Sequence, residues 1–265
     1  MKGIKDAQRI VVKVGTSTLT YDTGKVNLRR MDKLAQVISD LRNSGIEVAL
    51  VTSAAIAVGV GKLGLPARPK DIPSRQAVAT VGQCELMYTY DKLFNEYNHT
   101  VAQVLLTGED VKNEQRSRNM RNTIFRLLEL GALPVINEND TVSTDEIVIG
   151  DNDTLSANVA STIGADLLVL LSDIDGLYDS DPHKNPSARL IDTVEQLDER
   201  IYALAGGEGS SLGTGGMVTK LRAAKIATDA GCEMVIANGS RPENLYDILD
   251  GAHVGTRFLA QEEGK

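Results

Sequence analysis

Short, unbroken apolar runs recur along the chain, and each gives way to small or polar residues. Residues 10–14 lead into Gly15-Thr16-Ser17, residues 48–51 into Thr52-Ser53-Ala54, and residues 134–136 into Asn137-Glu138-Asn139-Asp140. Residues 167–171 lead into Ser172-Asp173, and residues 234–237 into Asn238-Gly239-Ser240. Runs this short and this rich in valine, isoleucine and leucine predict parallel strands covered on both faces. Between them lie stretches with helical periodicity. In the clearest, Leu28, Met31, Leu34, Ala35, Ile38 and Leu41 form one apolar stripe, which Asn43-Ser44-Gly45 stops. Further helices are predicted over residues 85–96, 119–130, 154–163, 194–205 and 218–230. Such alternation predicts an α/β fold around a mainly parallel sheet.

In open sheets of this kind, ligands bind beyond the carboxyl ends of the strands. The polar tails of all five runs fall there. Any one tail could be no more than a turn, but five together, one of them carrying acids and amides, favour a shared site. Gly213-Thr214-Gly215-Gly216-Met217 stands directly ahead of the predicted helix 218–230, whose first turn carries Lys220. Glycines let backbone N–H groups approach an anion, a helix N-terminus attracts it, and lysine adds a point charge. Those parts describe a phosphate cradle. The loop alone also reads as a linker, because Gly206-Gly207-Glu208-Gly209-Ser210-Ser211 precedes it and no Walker A spacing is present.

Lys13 lies inside the first run, where a buried ammonium is costly without an anion. It either snorkels out at a sheet edge or joins Gly15-Thr16-Ser17 beside a phosphate. The Asn137–Asp140 tail and Gly150-Asp151-Asn152-Asp153 combine carboxylates, which hold an ammonium group or magnesium, with amides, which donate to a carboxylate. A zwitterion needs both. The same residues could form Asx turns, with Asp153 capping the helix at 154–163.

The 265 residues allow one large domain or two small ones. The best boundary lies near Ser172 and divides a single sheet into lobes 1–171 and 172–265. The net charge of −8 carries no block of lysine or arginine, and tryptophan is absent. Nucleic acid and anionic membrane are therefore disfavoured as partners, whereas ATP is not. Cys84 and Cys232 are isolated, and His99, His183 and His253 have no metal-ligand or nucleophile partners at useful spacing. With no signal-like N-terminus and no membrane-length apolar run, the expected location is cytoplasmic.

Taken in order, several motifs resemble those of the glutamate 5-kinases in the amino acid kinase family. They are Val12-Lys13-Val14-Gly15-Thr16-Ser17, Val51-Thr52-Ser53, Val135-Ile136-Asn137-Glu138-Asn139-Asp140, Gly150-Asp151-Asn152-Asp153, Ser172-Asp173 with Gly176-Leu177-Tyr178, and Gly213–Met217 with Lys220. The matches cover nearly the whole chain, and the two acid/amide clusters are what points to that branch. The resemblance implies a three-layer α/β/α sandwich and ATP-dependent phosphorylation of the γ-carboxylate of L-glutamate, the first step of proline biosynthesis, with magnesium carried by ATP. It makes Lys13, Lys220 and Asp153 catalytic, the lysines at the phosphates and Asp153 orienting them. Ser53, Asn137, Asp140, Asp151 and Asn152 would bind glutamate. Lys13, Gly15, Ser172, Asp173, Thr214, Gly215, Gly216, Met217, Val218, Thr219 and Lys220 would bind ATP. It further implies a homodimer or homotetramer, and proline as a feedback inhibitor near the glutamate site, for which the polar segment 107–119 is a candidate mobile loop.

The chemistry fits these residue types. Glutamate's carboxylate is ionised at neutral pH and needs no general base, so transfer rests on placement and charge neutralisation. Two departures stand out. Ala54 occupies a position where the family usually has glycine, and the chain stops soon after Phe258, without the RNA-binding-type PUA module of many long members. Rival readings are another amino acid kinase (acting on acetylglutamate, aspartate or a small phosphate acceptor) and a non-catalytic amino-acid sensor. A dinucleotide-dependent dehydrogenase is disfavoured, because no G-x-G-x-x-G follows the first run.

Overall fold

The computed structural model describes residues 3–143, 152–182, 184–205 and 216–261. Among them, eight strands form one sheet: β1 (Arg9–Val14), β2 (Glu47–Thr52), β3 (Val101–Leu106), β4 (Leu133–Glu138), β5 (Leu167–Ser172), β6 (Thr193–Val194), β7 (Glu233–Asn238) and β8 (Thr256–Phe258). Their spatial order is β3-β4-β2-β1-β5-β7-β8-β6. Only the β7–β8 pair is antiparallel; the other neighbours run parallel. The five strands expected from the sequence are the five contiguous central ones. Those that escaped notice, β3, β6 and β8, lie at the flanks, and β3 is mostly half-buried, so no fully apolar run marks it.

The helices are α1 (Thr16–Leu19), α2 (Leu28–Asn43), α3 (Ala55–Leu63), α4 (Ile72–Asn95), α5 (Gly108–Lys112), α6 (Glu114–Glu129), α7 (Asn152–Ile163), α8 (Glu199–Ala205), α9 (Met217–Asp229) and α10 (Asn244–Leu249). Side chains alternate across the sheet. Ile10, Val12, Val14, Leu50, Val169 and Val235 join one apolar cluster with α2, α3, α4 and α10. Val11, Val51, Leu168, Leu170 and Ile236 join another with α6, α7, α8 and α9. Helices thus cover both faces of the sheet, giving the three-layer arrangement. β5 pairs with β1 on one side and β7 on the other, so the sheet runs unbroken past Ser172.

Three local expectations need correction. Val194, placed at the start of a helix over 194–205, instead lies with Thr193 in β6, which pairs with β8, and the helix begins at Glu199. The helix expected over 85–96 is the second half of α4, which starts at Ile72 behind an Asp71 cap whose side chain accepts from the Ser74 N–H. The segment 107–119, read as a loop, is mostly helical. Thr107 and Asp110 form a capping box ahead of α5, and the Asn113 side chain caps α6. Side-chain caps let two helices start within a polar stretch. The helix α3 also went unread, since Gly59 and Gly61 interrupt it. Those glycines serve packing: a Cβ on Gly59 would strike the Val78 carbonyl, and one on Gly82 of α4 would strike that of Ala55. No helix among the described residues is long and apolar enough to cross a membrane.

Candidate active site

Lys13 falls on the same face of β1 as Val11, pointing toward α7 and α9. Because β1 lies between β2 and β5, no sheet edge is available for snorkelling, and the ammonium needs an internal partner. It has one: Lys13 Nζ lies 2.6 Å from Asp153 Oδ1, and Lys220 Nζ donates to Asp153 Oδ2 at 3.1 Å. Asp153 stands in the first turn of α7, not as a mere cap, and only 1% of it is exposed. Burial alone would raise its pKa, but the Lys13 and Lys220 charges and hydrogen bonds outweigh that and hold it at about 2. One carboxylate therefore gathers two cations from β1 and α9 to a single point. The Thr219 hydroxyl, 3.0 Å from Asp153 Oδ2 and 2.8 Å from the Gly216 carbonyl, adds a polar tie on the same oxygen.

The residue preceding Asp153 faces the other half of the site. Asn152 Nδ2 donates to the Thr52 carbonyl at 2.8 Å and to Asn137 Oδ1 at 2.8 Å, with Ser53 Oγ at 3.1 Å. The first turn of α7 thus links the lysine pair to the ends of β2 and β4. Asp140, just past β4, is buried. Burial and then the neighbouring Glu138 carboxylate push its pKa up to about 6, against the lowering charges of Arg68 and Arg75.

A cavity of about 570 Å³ opens over these strand ends, within the usual range for a small-molecule site. Lys13, Gly15, Ser53, Asp140, Ser172, Asp173 and Lys220 line it, together with Ala54 and Arg68. Asn137, Asn152 and Asp153 are buried behind that lining. At the start of α9, Gly216 is the N-cap, Met217 is half-buried and Val218 is exposed. Gly150, Asp151, Gly213, Thr214 and Gly215 lie outside the described residues, as do His183 and the linker-like residues 206–211. Two expectations about backbone freedom change. Gly15 and Gly216 have φ of −80° and −68°, so neither uses the left-handed region. Ala54 does, at φ +84°, which is the conformation that favours the family's glycine. Arg68, in the cavity lining, was not among the expected site residues, and Thr219, expected only at ATP, also bonds to Asp153. Arg68 follows no strand, and a threonine bonding to a carboxylate 66 positions away leaves no local signature.

Asp173 is exposed and lines the same cavity as the two lysines. A single carboxylate with phosphate oxygens and water is the donor set that magnesium takes.

Comparison with known proteins places the chain in a family. The model of the amino acid kinase family matches residues 8–238. A glutamate 5-kinase of Clostridium perfringens is 55% identical, the match covering 98% of each chain. One of Carboxydothermus hydrogenoformans is 52% identical over 98% of this chain and 70% of its own. Among solved structures, carbamate kinase from Giardia lamblia bound to AMP-PNP superposes with a TM-score of 0.66 at 15% identity, covering 97% of this chain and 100% of that one. The T. acidophilum isopentenyl phosphate kinase product complex gives 0.62 at 18%, covering 94% and 99%. At those identities the two structures establish the fold alone. The chain belongs to the amino acid kinase family, and within it to the glutamate 5-kinases.

Proposed function

We propose that this chain transfers the γ-phosphoryl group of ATP to the γ-carboxylate of L-glutamate, with Lys13 and Lys220 flanking the moving group. A carboxylate oxygen attacks the γ-phosphorus, the bond to the β–γ bridging oxygen breaks, and ADP leaves as γ-glutamyl phosphate forms. The nucleophile is already ionised, so no proton has to be removed. The site must instead bring two anions together and neutralise the equatorial oxygens of the transferring group. The observation that carries this reading is the shared hold of Asp153 on both lysines, at 2.6 and 3.1 Å. A strongly ionised carboxylate keeps the pair in place without a ligand.

Ser53, Asn137, Asp140, Asp151 and Asn152 are assigned to glutamate. Asp140 faces the substrate's ammonium group, and Arg68, in the same cavity, meets the α-carboxylate. Gly15, Ser172, Asp173 and residues 214–220 are assigned to ATP, so that residues 1–171 form an acceptor lobe and 172–265 a nucleotide lobe. Magnesium held by ATP's phosphates, with Asp173 facing it, would supply further charge neutralisation. A cytoplasmic homodimer or homotetramer with proline as a feedback ligand completes the proposal. Light scattering and inhibition by proline test those two parts.

The decisive experiment supplies ATP, magnesium and L-glutamate, traps the acyl phosphate with hydroxylamine and follows ADP. Hydroxamate and ADP in step are expected. Turnover of acetylglutamate or aspartate in place of glutamate would overturn the substrate assignment. Glutamate binding without ATP consumption would establish a sensor instead.

A further inference from the structure

The expected glutamate-binding residues rest on helix α4, which no motif includes. Amide orientations there can be fixed from backbone groups whose roles are unambiguous. The Glu138 N–H donates to Asn137 at 2.9 Å, so the accepting atom is Oδ1. The Thr52 carbonyl accepts from Asn152 at 2.8 Å, so the donor is Nδ2, and that same nitrogen donates to Asn137 Oδ1. Asn137 Nδ2 is left facing Gln83 at 2.8 Å, and Gln83 must present its oxygen. Its Nε2 is buried with no hydrogen-bond partner, so the hydrogen bond that Gln83 makes here is through Oε1.

The relay has a second anchor on α4. Tyr90, one heptad beyond Gln83, lies with its hydroxyl 2.8 Å from Thr52 Oγ1. Nearer the start of the helix, the Thr80 hydroxyl is 3.2 Å from Thr141 Oγ1, just past Asp140. Gln76, whose Nε2 donates to the Thr141 carbonyl at 3.4 Å, Thr80 and Gln83 follow helical spacing and share one face. On a neighbouring face, Gly82 packs α4 against α3, because only a residue without a Cβ lets the helix close on the Ala55 carbonyl.

We propose that Gln83 is a positioning residue for the phosphoryl acceptor: through Asn137 and Asn152 it sets where the Ser53 hydroxyl stands at the cavity wall. The inference rests on the glutamate-kinase reading above. Removing the oxygen leaves Asn137, only 1% exposed, with a buried amide hydrogen and no acceptor, so its amide turns and Asn152 follows. The lysine pair is held by the Asp153 side chain and makes no hydrogen bond to Gln83 or Asn137.

The test is steady-state kinetics of Gln83→Met with glutamate and ATP varied separately. Losing one buried neutral hydrogen bond should raise KM for glutamate roughly three- to tenfold, leaving kcat and KM for ATP as in the unmodified protein. If Gln83 acts through Asn137, adding Gln83→Met to Asn137→Ala changes nothing further. An unchanged glutamate KM, equal rises in both KM values, or additive effects in the double variant would overturn the proposal. Should Gln83→Met fail to fold, Gln83→Asn, which draws the oxygen back by one methylene, must give the same split between the two KM values or the proposal falls. Absence of glutamate turnover in the unmodified chain would instead defeat the functional reading itself.

Discussion

Asp153 and Asp140 line or back one site, both are more than nine-tenths buried, and their protons are held in opposite ways. Asp153 has pKa about 2, because two ammonium groups overcome the effect of burial; Asp140 has pKa about 6, because burial and Glu138 prevail over two arginines. Neither value could be read from a residue name. The difference separates the site by task. At the phosphoryl end, charge is permanent and internally balanced before any ligand arrives. At the acceptor end, a carboxylate sits close to its titration point, so an incoming ammonium group can complete its ionisation.

The widest breach of that contrast is Asp153→Asn. Lys13 and Lys220 then lose the carboxylate they share, and breaking such a buried pair costs about 3–5 kcal/mol. Urea unfolding should lose that much stability, with turnover collapsing in parallel. Unchanged stability would mean the lysines are held by something else. Linkage gives the same interaction a pH signature. The folded pKa of about 2 lies below the ordinary 3.8, so the contribution is complete above pH 3.8 and is lost as pH falls through 2.

Lys13→Ala or Lys220→Ala cuts at the chemistry more than at the fold. Removing one preorganised charge from a transition state costs roughly 10²- to 10³-fold in kcat. ADP release is the readout, and near-normal turnover by either variant would remove that lysine from the mechanism. The acceptor end should respond to pH instead. Below pH 6 Asp140 takes up a proton, so at pH 5 about one site in ten keeps the charge that pairs with an ammonium group, and KM for glutamate should rise roughly tenfold. Asp140→Asn should abolish that slope. For stability the sign reverses relative to Asp153: the raised pKa favours the folded state at pH below 3.8, and this gain disappears as pH rises through 6.

What could be read from the sequence follows from where burial is uniform. β1, β2, β4, β5 and β7 are covered on both faces and announce themselves as apolar runs; the polar tails of the first four reach the cavity lining, whereas Asn238-Gly239-Ser240 after β7 does not. Lys13 was legible because a cation in such a run demands an anion, although the distant identity of that anion was not. Flanking β3 and the glycine-bearing α3 gave weaker patterns, since half-burial and close helix contact leave no regular period. Gln83 was invisible for a different reason. Its role comes from a hydrogen bond to Asn137, 54 positions away on β4, a tertiary contact that local spacing does not encode.

Ala54 joins the two ends of the comparison, following Ser53 and lining the same cavity. Its positive φ costs about 1–2 kcal/mol relative to glycine. Against this, its buried methyl packs with the cluster around Val58, worth about 0.8 kcal/mol. Alanine also restricts the unfolded chain by about 0.4–1 kcal/mol. These opposing contributions nearly cancel, which explains how the departure is tolerated. Ala54→Gly should therefore change the unfolding free energy from urea titration by less than about 1 kcal/mol in either direction, with no change in the slope. A larger gain would mean the methyl is poorly packed, and a larger loss would mean the left-handed turn carries little strain. Should glutamate KM fall while ATP KM holds, the methyl crowds the acceptor end alone.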